Sequence, residues 1–122
     1  MSAHQMVCHL CDAFRMALGG RPVTDVYLPG GSHVLKWAVL YLPVPWPSGL
    51  RTSPELDQKG GGTEPSSFDA DVAEVEALMQ RVIEQPEQIA WPKHPVFGRM
   101  SKAGWLRWGY LHMDHHLRQF GA

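Results

Sequence analysis

The segment Ser101-Lys102-Ala103-Gly104-Trp105-Leu106-Arg107-Trp108-Gly109-Tyr110-Leu111-His112-Met113-Asp114-His115-His116-Leu117-Arg118-Gln119-Phe120-Gly121 carries the punctuation of a single helix. Ser101 is a favoured N-cap, and Gly121 is a favoured stop. At about 100° per residue, with His112 as origin, His116 lies near 40°, Trp105 near 20°, Gly109 near 60° and Gln119 near −20°. Arg107, Asp114 and Arg118 collect at about 200–240°, on the other side. His112 and His116 therefore occupy the middle of the inward face, and His115 its edge. A histidine pair at i, i+4 on one helix face can chelate a single divalent cation.

Working back to the start of the chain, Ser2 to Leu18 reads as another helix. Ser2 and Gln5 match the S-x-x-Q capping box, and Gly19-Gly20 supplies the stop. With His9 as origin, Met6, Ala13 and Met16 fall within about 60°, while His4 and Arg15 fall near 220–240°. His9 therefore also points inward, with Asp12 bordering it at i+3. Three inward histidines on two helices suit one metal ion with open positions, as in catalytic sites; structural zinc is usually closed by four ligands. The competing reading is a hydrogen-bonded histidine core. Burying three imidazoles without a metal, however, leaves several ring nitrogens in need of partners. Cys8 and Cys11 form a C-x-x-C on the opposite side of this helix, without the preceding strand that a thioredoxin-like motif requires. They are expected to pack against a neighbouring helix or subunit.

Between these ends lie two further helices and two long loops. His33 to Leu42 follows Gly30-Gly31-Ser32 and ends at Pro43. The stretch Pro43 to Pro65 holds five prolines and four glycines and reads as irregular. A loop of that length in a small domain is usually functional or mobile, and Gly60-Gly61-Gly62 within it is expected to be flexible. Ser66 or Ser67 caps a helix running to about Gln85, with Phe68, Val72, Val75, Met79 and Val82 as its apolar stripe. Pro86 to Met100 is a second loop. Nothing reads as a paired strand, so the expected fold class is all-α, in a single domain spanning residues 1–122 with long Pro/Gly-rich loops.

Composition narrows the function classes. The chain has 122 residues, 44% of them hydrophobic, and a net charge of −1. No strongly basic surface is available for nucleic acid or an acidic membrane. The longest apolar run, Trp37 to Val44, is too short to span a bilayer. Met1 to Gln5 carries no cationic segment ahead of an apolar run, and only two cysteines are present, so a cytoplasmic location is expected. What stands out is seven histidines and five tryptophans. His33, at a helix start, is an extra metal ligand, a proton-transfer group or a surface capping residue. His94 is held extended by Pro95 and reads as a loop residue or part of a pocket mouth. The five tryptophans read as core, with Trp46 and Trp91 also able to wall a binding site.

Two stretches carry a family resemblance. One is Met6-Val7-Cys8-His9-Leu10-Cys11-Asp12-Ala13-Phe14-Arg15. The other runs from His94-Pro95-Val96-Phe97-Gly98-Arg99-Met100-Ser101 through Trp105 to His112-Met113-Asp114-His115-His116-Leu117-Arg118-Gln119-Phe120-Gly121. Together they resemble the DinB/YfiT-like superfamily, whose DinB-like members have an H-P-x-F-G loop and an H-x-x-H-H-x-x-Q final helix. The resemblance implies an up-down-down-up four-helix bundle, often dimeric. It also implies a divalent nickel, zinc or manganese ion held by one histidine of the second helix and two of the last. His9 matches the former; His112 and His116 match the latter. Members usually have a further helix before the segment matching His9. Three explanations stay open: Met1 is an internal methionine, a second molecule completes the bundle, or the His33–Leu42 helix fills the gap.

Superfamily members include thiol-dependent S-transferases and a mycothiol-dependent isomerase. The expectation is therefore a divalent-metal protein, a thiol S-transferase or hydrolase acting on a small electrophilic molecule with a low-molecular-weight thiol or water. In it His9, His112 and His116 are the ligands, His33 the base, and Asp12, His115 and Gln119 orient the ligands. The alternative is a non-catalytic, stress-associated metal-binding or assembly module. A homodimer, with no nucleic-acid or membrane partner, is expected in either case.

Overall fold

The computed structural model describes residues 1–26, 32–49 and 52–122. Its helices are α1 (Ala3–Ala17), α2 (Ser32–Tyr41), α3 (Phe68–Glu84) and α4 (Lys102–Gln119), with single 3₁₀ turns at Pro54–Leu56 and Pro86–Gln88. The described residues form no strand, and the His94–Gly98 bridge is isolated. The fold is all-α with four helices, as the helical periodicities predict. The Gly30-Gly31 start expected for the second helix lies outside the described residues. No helix is long and apolar enough to cross a membrane among those described.

The capping box at α1 forms as read. The Gln5 N–H donates to Ser2 Oγ at 3.1 Å, and the Ser2 N–H donates to Gln5 Oε1 at 2.8 Å. At the other end Gly19 takes φ +80°, letting the Gly20 N–H close back on the Arg15 carbonyl at 2.9 Å. Between these caps, every residue from Met6 to Phe14 is buried. A helix buried all round must be covered on several sides.

α3 and α4 cover two of them, in opposite senses. His4 meets Phe68, and Met6, Val7 and Leu10 pack with Val72 and Val75. Phe14 and Ala17 share a groove with Met79, Val82 and Ile83. Starts therefore meet starts, and α3 runs parallel to α1. α4 is antiparallel, because Ala13, Met16 and Ala17 pack with Trp105 and Trp108 while His9 meets His112 and His116. Parallel neighbours cannot be joined by a tight turn. The chain must travel back the length of α1, about 22 Å, which accounts for the long crossover before α3.

That crossover is anchored rather than loose. Asp12 is fully buried. Its Oδ2 accepts the Thr63 N–H at 2.7 Å and its Oδ1 accepts the Thr63 hydroxyl at 2.7 Å, with Arg15 at 3.2 Å and Arg21 at 3.3 Å. Arg21 also donates to the carbonyls of Glu55 (2.8 Å) and Gly61 (2.7 Å). Gly60-Gly61-Gly62, expected to be flexible, is instead a packed turn. A Cβ on Gly62 would stand 2.9 Å from the Asp57 carbonyl oxygen, a separation no side chain can hold.

α2 lies along the first half of α4. Lys36 donates to the Arg99 carbonyl at 3.2 Å, and Arg107 donates to the Leu40 carbonyl while lying over the Tyr41 ring. Leu40 is buried, but Trp37 is 57% exposed and Val34 74%, so Trp37 leaves the set of core tryptophans. The helix is too short and too lightly packed to hide both faces.

Asp12→Ala removes the acceptor of two arginines and two Thr63 donors in a dry site. It should lower unfolding free energy by about 3 kcal/mol or more, read by urea denaturation. An effect below about 1 kcal/mol would mean the crossover does not depend on this anchor.

Candidate metal centre

His9, on the middle of α1, faces α4 across a gap bridged by ring nitrogens. His9 Nε2 lies 3.2 Å from His112 Nε2, which lies 3.1 Å from His116 Nε2. These three ligand atoms all fall within 4.8 Å of one another. At a metal–nitrogen length of about 2.1 Å, neighbouring ligands stand about 3.0 Å apart in octahedral and about 3.4 Å apart in tetrahedral geometry. The His9–His112 and His112–His116 separations fall between these values.

The tautomers are decided from behind. His9 Nδ1 faces the Leu56 carbonyl at 2.8 Å, which can only accept, so Nδ1 carries the proton and Nε2 a lone pair. His116 Nδ1 donates to Gln119 Oε1 at 3.0 Å, again freeing Nε2. His112 has at most one Nε2 proton to share between these two acceptors. Three nitrogens therefore converge with more lone pairs than protons, an arrangement a divalent cation satisfies and hydrogen bonds alone do not.

All three imidazoles are biased toward the neutral, ligating form. Burial lowers His9 below its ordinary pKa, against the smaller opposing pull of the Leu56 hydrogen bond and the Asp12 charge. His112 is driven well below 6.5 by burial and then by its histidine neighbours. His116 is lowered to about 4, by burial and then His9. Rings pack them in place: Trp108 stacks on His112 at 4.7 Å and 18°, and Trp46 lies 6.3 Å from His112 and 5.8 Å from His115.

The group opens onto a cavity of about 910 Å³ between α1, α4 and the crossover. Met16, Leu35, Val39, Trp46, Phe97 and Trp108 contribute its apolar walls, and His115, Gln119 and Gln58 are among its polar ones. Of the residues singled out in the sequence, the structure brings together His9, His112, His116, His115 and Gln119. Gln119 joins two of them, since its Nε2 lies 3.2 Å from His115 Nε2. Asp12 stands apart in hydrogen bonding: its oxygens serve Thr63, Arg15 and Arg21, and it reaches His9 through its charge alone. The partner that orients His9 is the Leu56 carbonyl, a backbone atom with no signature in side-chain identity. His33 is exposed and does not line the cavity, because Leu35 and Val39 occupy that face of α2. His33 is therefore not among the residues the structure brings together. The stacking Trp108 was detectable, lying four residues before His112 on the same face.

His94 has a role that its place in a loop conceals. Its Nδ1 accepts the N–H groups of Val96 (3.1 Å) and Phe97 (3.2 Å), closing the turn into α4. The ring is buried against Phe97, Trp105 and Trp108, and its Nε2 has no hydrogen-bond partner among the described residues. Burial alone lowers its pKa to about 3.

These features define a helical-bundle protein with a three-histidine candidate metal centre. The family described as "Protein of unknown function (DUF1569)" matches residues 2–122, and the chain belongs to it. No match was found among curated proteins or among solved structures.

The His94 environment sets a pH dependence. With the native pKa far below 6.5, the unfolded chain takes up a proton near pH 6.5 that the native state refuses. Stability is therefore fully present above that pH and falls with acidification until about pH 3. His94→Asn keeps an acceptor for the two N–H groups but does not titrate. It should flatten the loss of stability between pH 6.5 and 4, measured by denaturant midpoints; an unchanged slope would remove His94 as a cause.

Proposed function

We propose that this chain is a divalent-metal protein in which His9, His112 and His116 hold a transition-metal ion, zinc, nickel or manganese, on the wall of the 910 Å³ cavity. The observation that carries the reading is the convergence of three Nε2 atoms whose tautomers are set by Leu56 and Gln119. The ion when bound supplies Lewis acidity, lowering the pKa of a thiol or water near neutral pH. Three neutral imidazoles contribute no charge, so such a site favours an anionic incoming ligand, a thiolate or hydroxide.

The chain's own residues then account for the rest. The apolar walls suit a small, largely neutral electrophile. His115 lines the same cavity; burial biases its imidazole toward the neutral form, and its Nε2, once turned from Gln119, is the acceptor for the proton that the nucleophile loses. The resulting reading is transfer of a low-molecular-weight thiol, or of water, to that electrophile. The resemblance of the His9 and His112–Gln119 segments to DinB-like proteins supports it, as does the parallel placement of α1 and α3 with α4 antiparallel to α1.

Elemental analysis of the purified, tag-free protein tests the ligand set. Wild type should carry transition metal, and His112→Ala/His116→Ala should contain one equivalent less per chain. Equal metal content in the two proteins would overturn the assignment. Thiol-dependent consumption of an electrophile by the loaded wild type, absent in the double variant, would establish the chemistry. Metal retention with no turnover would assign the group to a binding or assembly module.

Gln119→Ala removes the acceptor behind His116. Metal affinity should fall roughly 10- to 100-fold, read by competition with a chelating dye, with helicity unchanged. An unaltered affinity would show that Gln119 does not orient the ligand.

A further inference from the structure

α1 carries a second convergence of donors on the side facing away from His9. His4 and Cys8 are spaced i, i+4, so both lie on the face that meets α3. Asp71, in the first turn of α3, reaches between them. His4 Nε2 stands 2.7 Å from Asp71 Oδ2, and Cys8 Sγ stands 3.6 Å from the same oxygen. One ligand atom from each of the three residues lies within 4.8 Å of the other two. Cys8 is buried while the side chains of His4 and Asp71 keep 26% and 19% of their exposure, so a cation has a path from solvent.

We propose that His4, Cys8 and Asp71 form a second divalent-metal site, clamping α1 to α3 and independent of the three-histidine group. The donor chemistry differs in a way that sorts metals. A thiolate and a carboxylate bring two negative charges against the two positive charges of the ion, so the filled site is electrically neutral in a poorly solvated place. The sulfur selects zinc, cadmium or cobalt over manganese and magnesium. Without an ion, Asp71 Oδ2 collects the protons itself, from His4, from the Cys8 thiol and from the Ser66 N–H at 3.2 Å. Binding replaces the first two hydrogen bonds with metal bonds and sends the thiol proton to solvent. Cys11, one turn further along, is engaged with the Asp71 carbonyl oxygen at 3.5 Å, and the remaining coordination position belongs to water.

Cobalt(II) separates the two sites, because a sulfur-to-cobalt charge-transfer band cannot arise from three imidazoles. Reduced, metal-free protein titrated with cobalt(II) should develop this near-ultraviolet band. His112→Ala/His116→Ala should develop it at one equivalent per chain. Cys8→Ser should abolish it, His4→Ala and Asp71→Asn should each weaken cobalt binding at least about tenfold, and Cys11→Ser should retain it. Circular dichroism confirms that each variant is folded. A folded wild type without the band, or a band that survives Cys8→Ser or is lost only in Cys11→Ser, overturns the proposal. Failure of the three-histidine assignment would leave the band in place, and failure of this one would leave the metal content lost in His112→Ala/His116→Ala.

Discussion

Complete burial of α1 from Met6 to Phe14 is the constraint from which the rest of the molecule follows. Two residues in that stretch, His9 and Asp12, are polar, and each must find partners without water. The crossover provides both. Leu56 turns its carbonyl to His9, and seven residues later Thr63 gives Asp12 two hydrogen bonds. Covering an all-round buried helix and satisfying its polar groups are one task, and they dictate the path of the chain between α2 and α3.

The same burial shapes the histidine group. Removing imidazoles from water favours their neutral form, and hydrogen bonds at Nδ1 of His9 and His116 leave the Nε2 lone pairs facing each other. Each effect alone is common in protein cores. Together they leave more lone pairs than protons among three nitrogens that Trp108 and Trp46 pack in place. That excess of lone pairs is why a cation suits the group.

α1 also organises the molecule by direction. Because α3 runs parallel to it and α4 antiparallel, its two faces carry different chemistry: the His9 imidazole toward α4, and the His4 imidazole with the Cys8 and Cys11 thiols toward α3. The parallel pair forces the long crossover, and the crossover roofs the cavity beside the histidines. A protein with tight helix–helix turns would have had neither that cavity nor the Leu56 carbonyl behind His9.

Much of this was legible in residue order. Capping at Ser2 and Ser101, the apolar stripe from Val72 to Val82, and the shared face of His112 and His116 depend on interactions within one helix. Local spacing is sufficient to read those. It was also enough to place His9 inward, since polar His4 and Arg15 mark the opposite side. The partner of His9 was not legible, because a backbone carbonyl forty-seven residues away leaves no trace in side-chain identity. Asp12 looked like a neighbour of His9, but a carboxylate takes the nearest strong donors, and those came from Thr63, Arg15 and Arg21. Trp37 was misplaced by the same limit: periodicity shows which residues share a face of α2, but not how little of that helix its neighbours cover. The sequence by itself determined the helices, their inward faces and the identity of the converging histidines. Only the tertiary structure decided which groups meet across those faces, because contact between segments distant in the chain is set by packing the whole molecule at once.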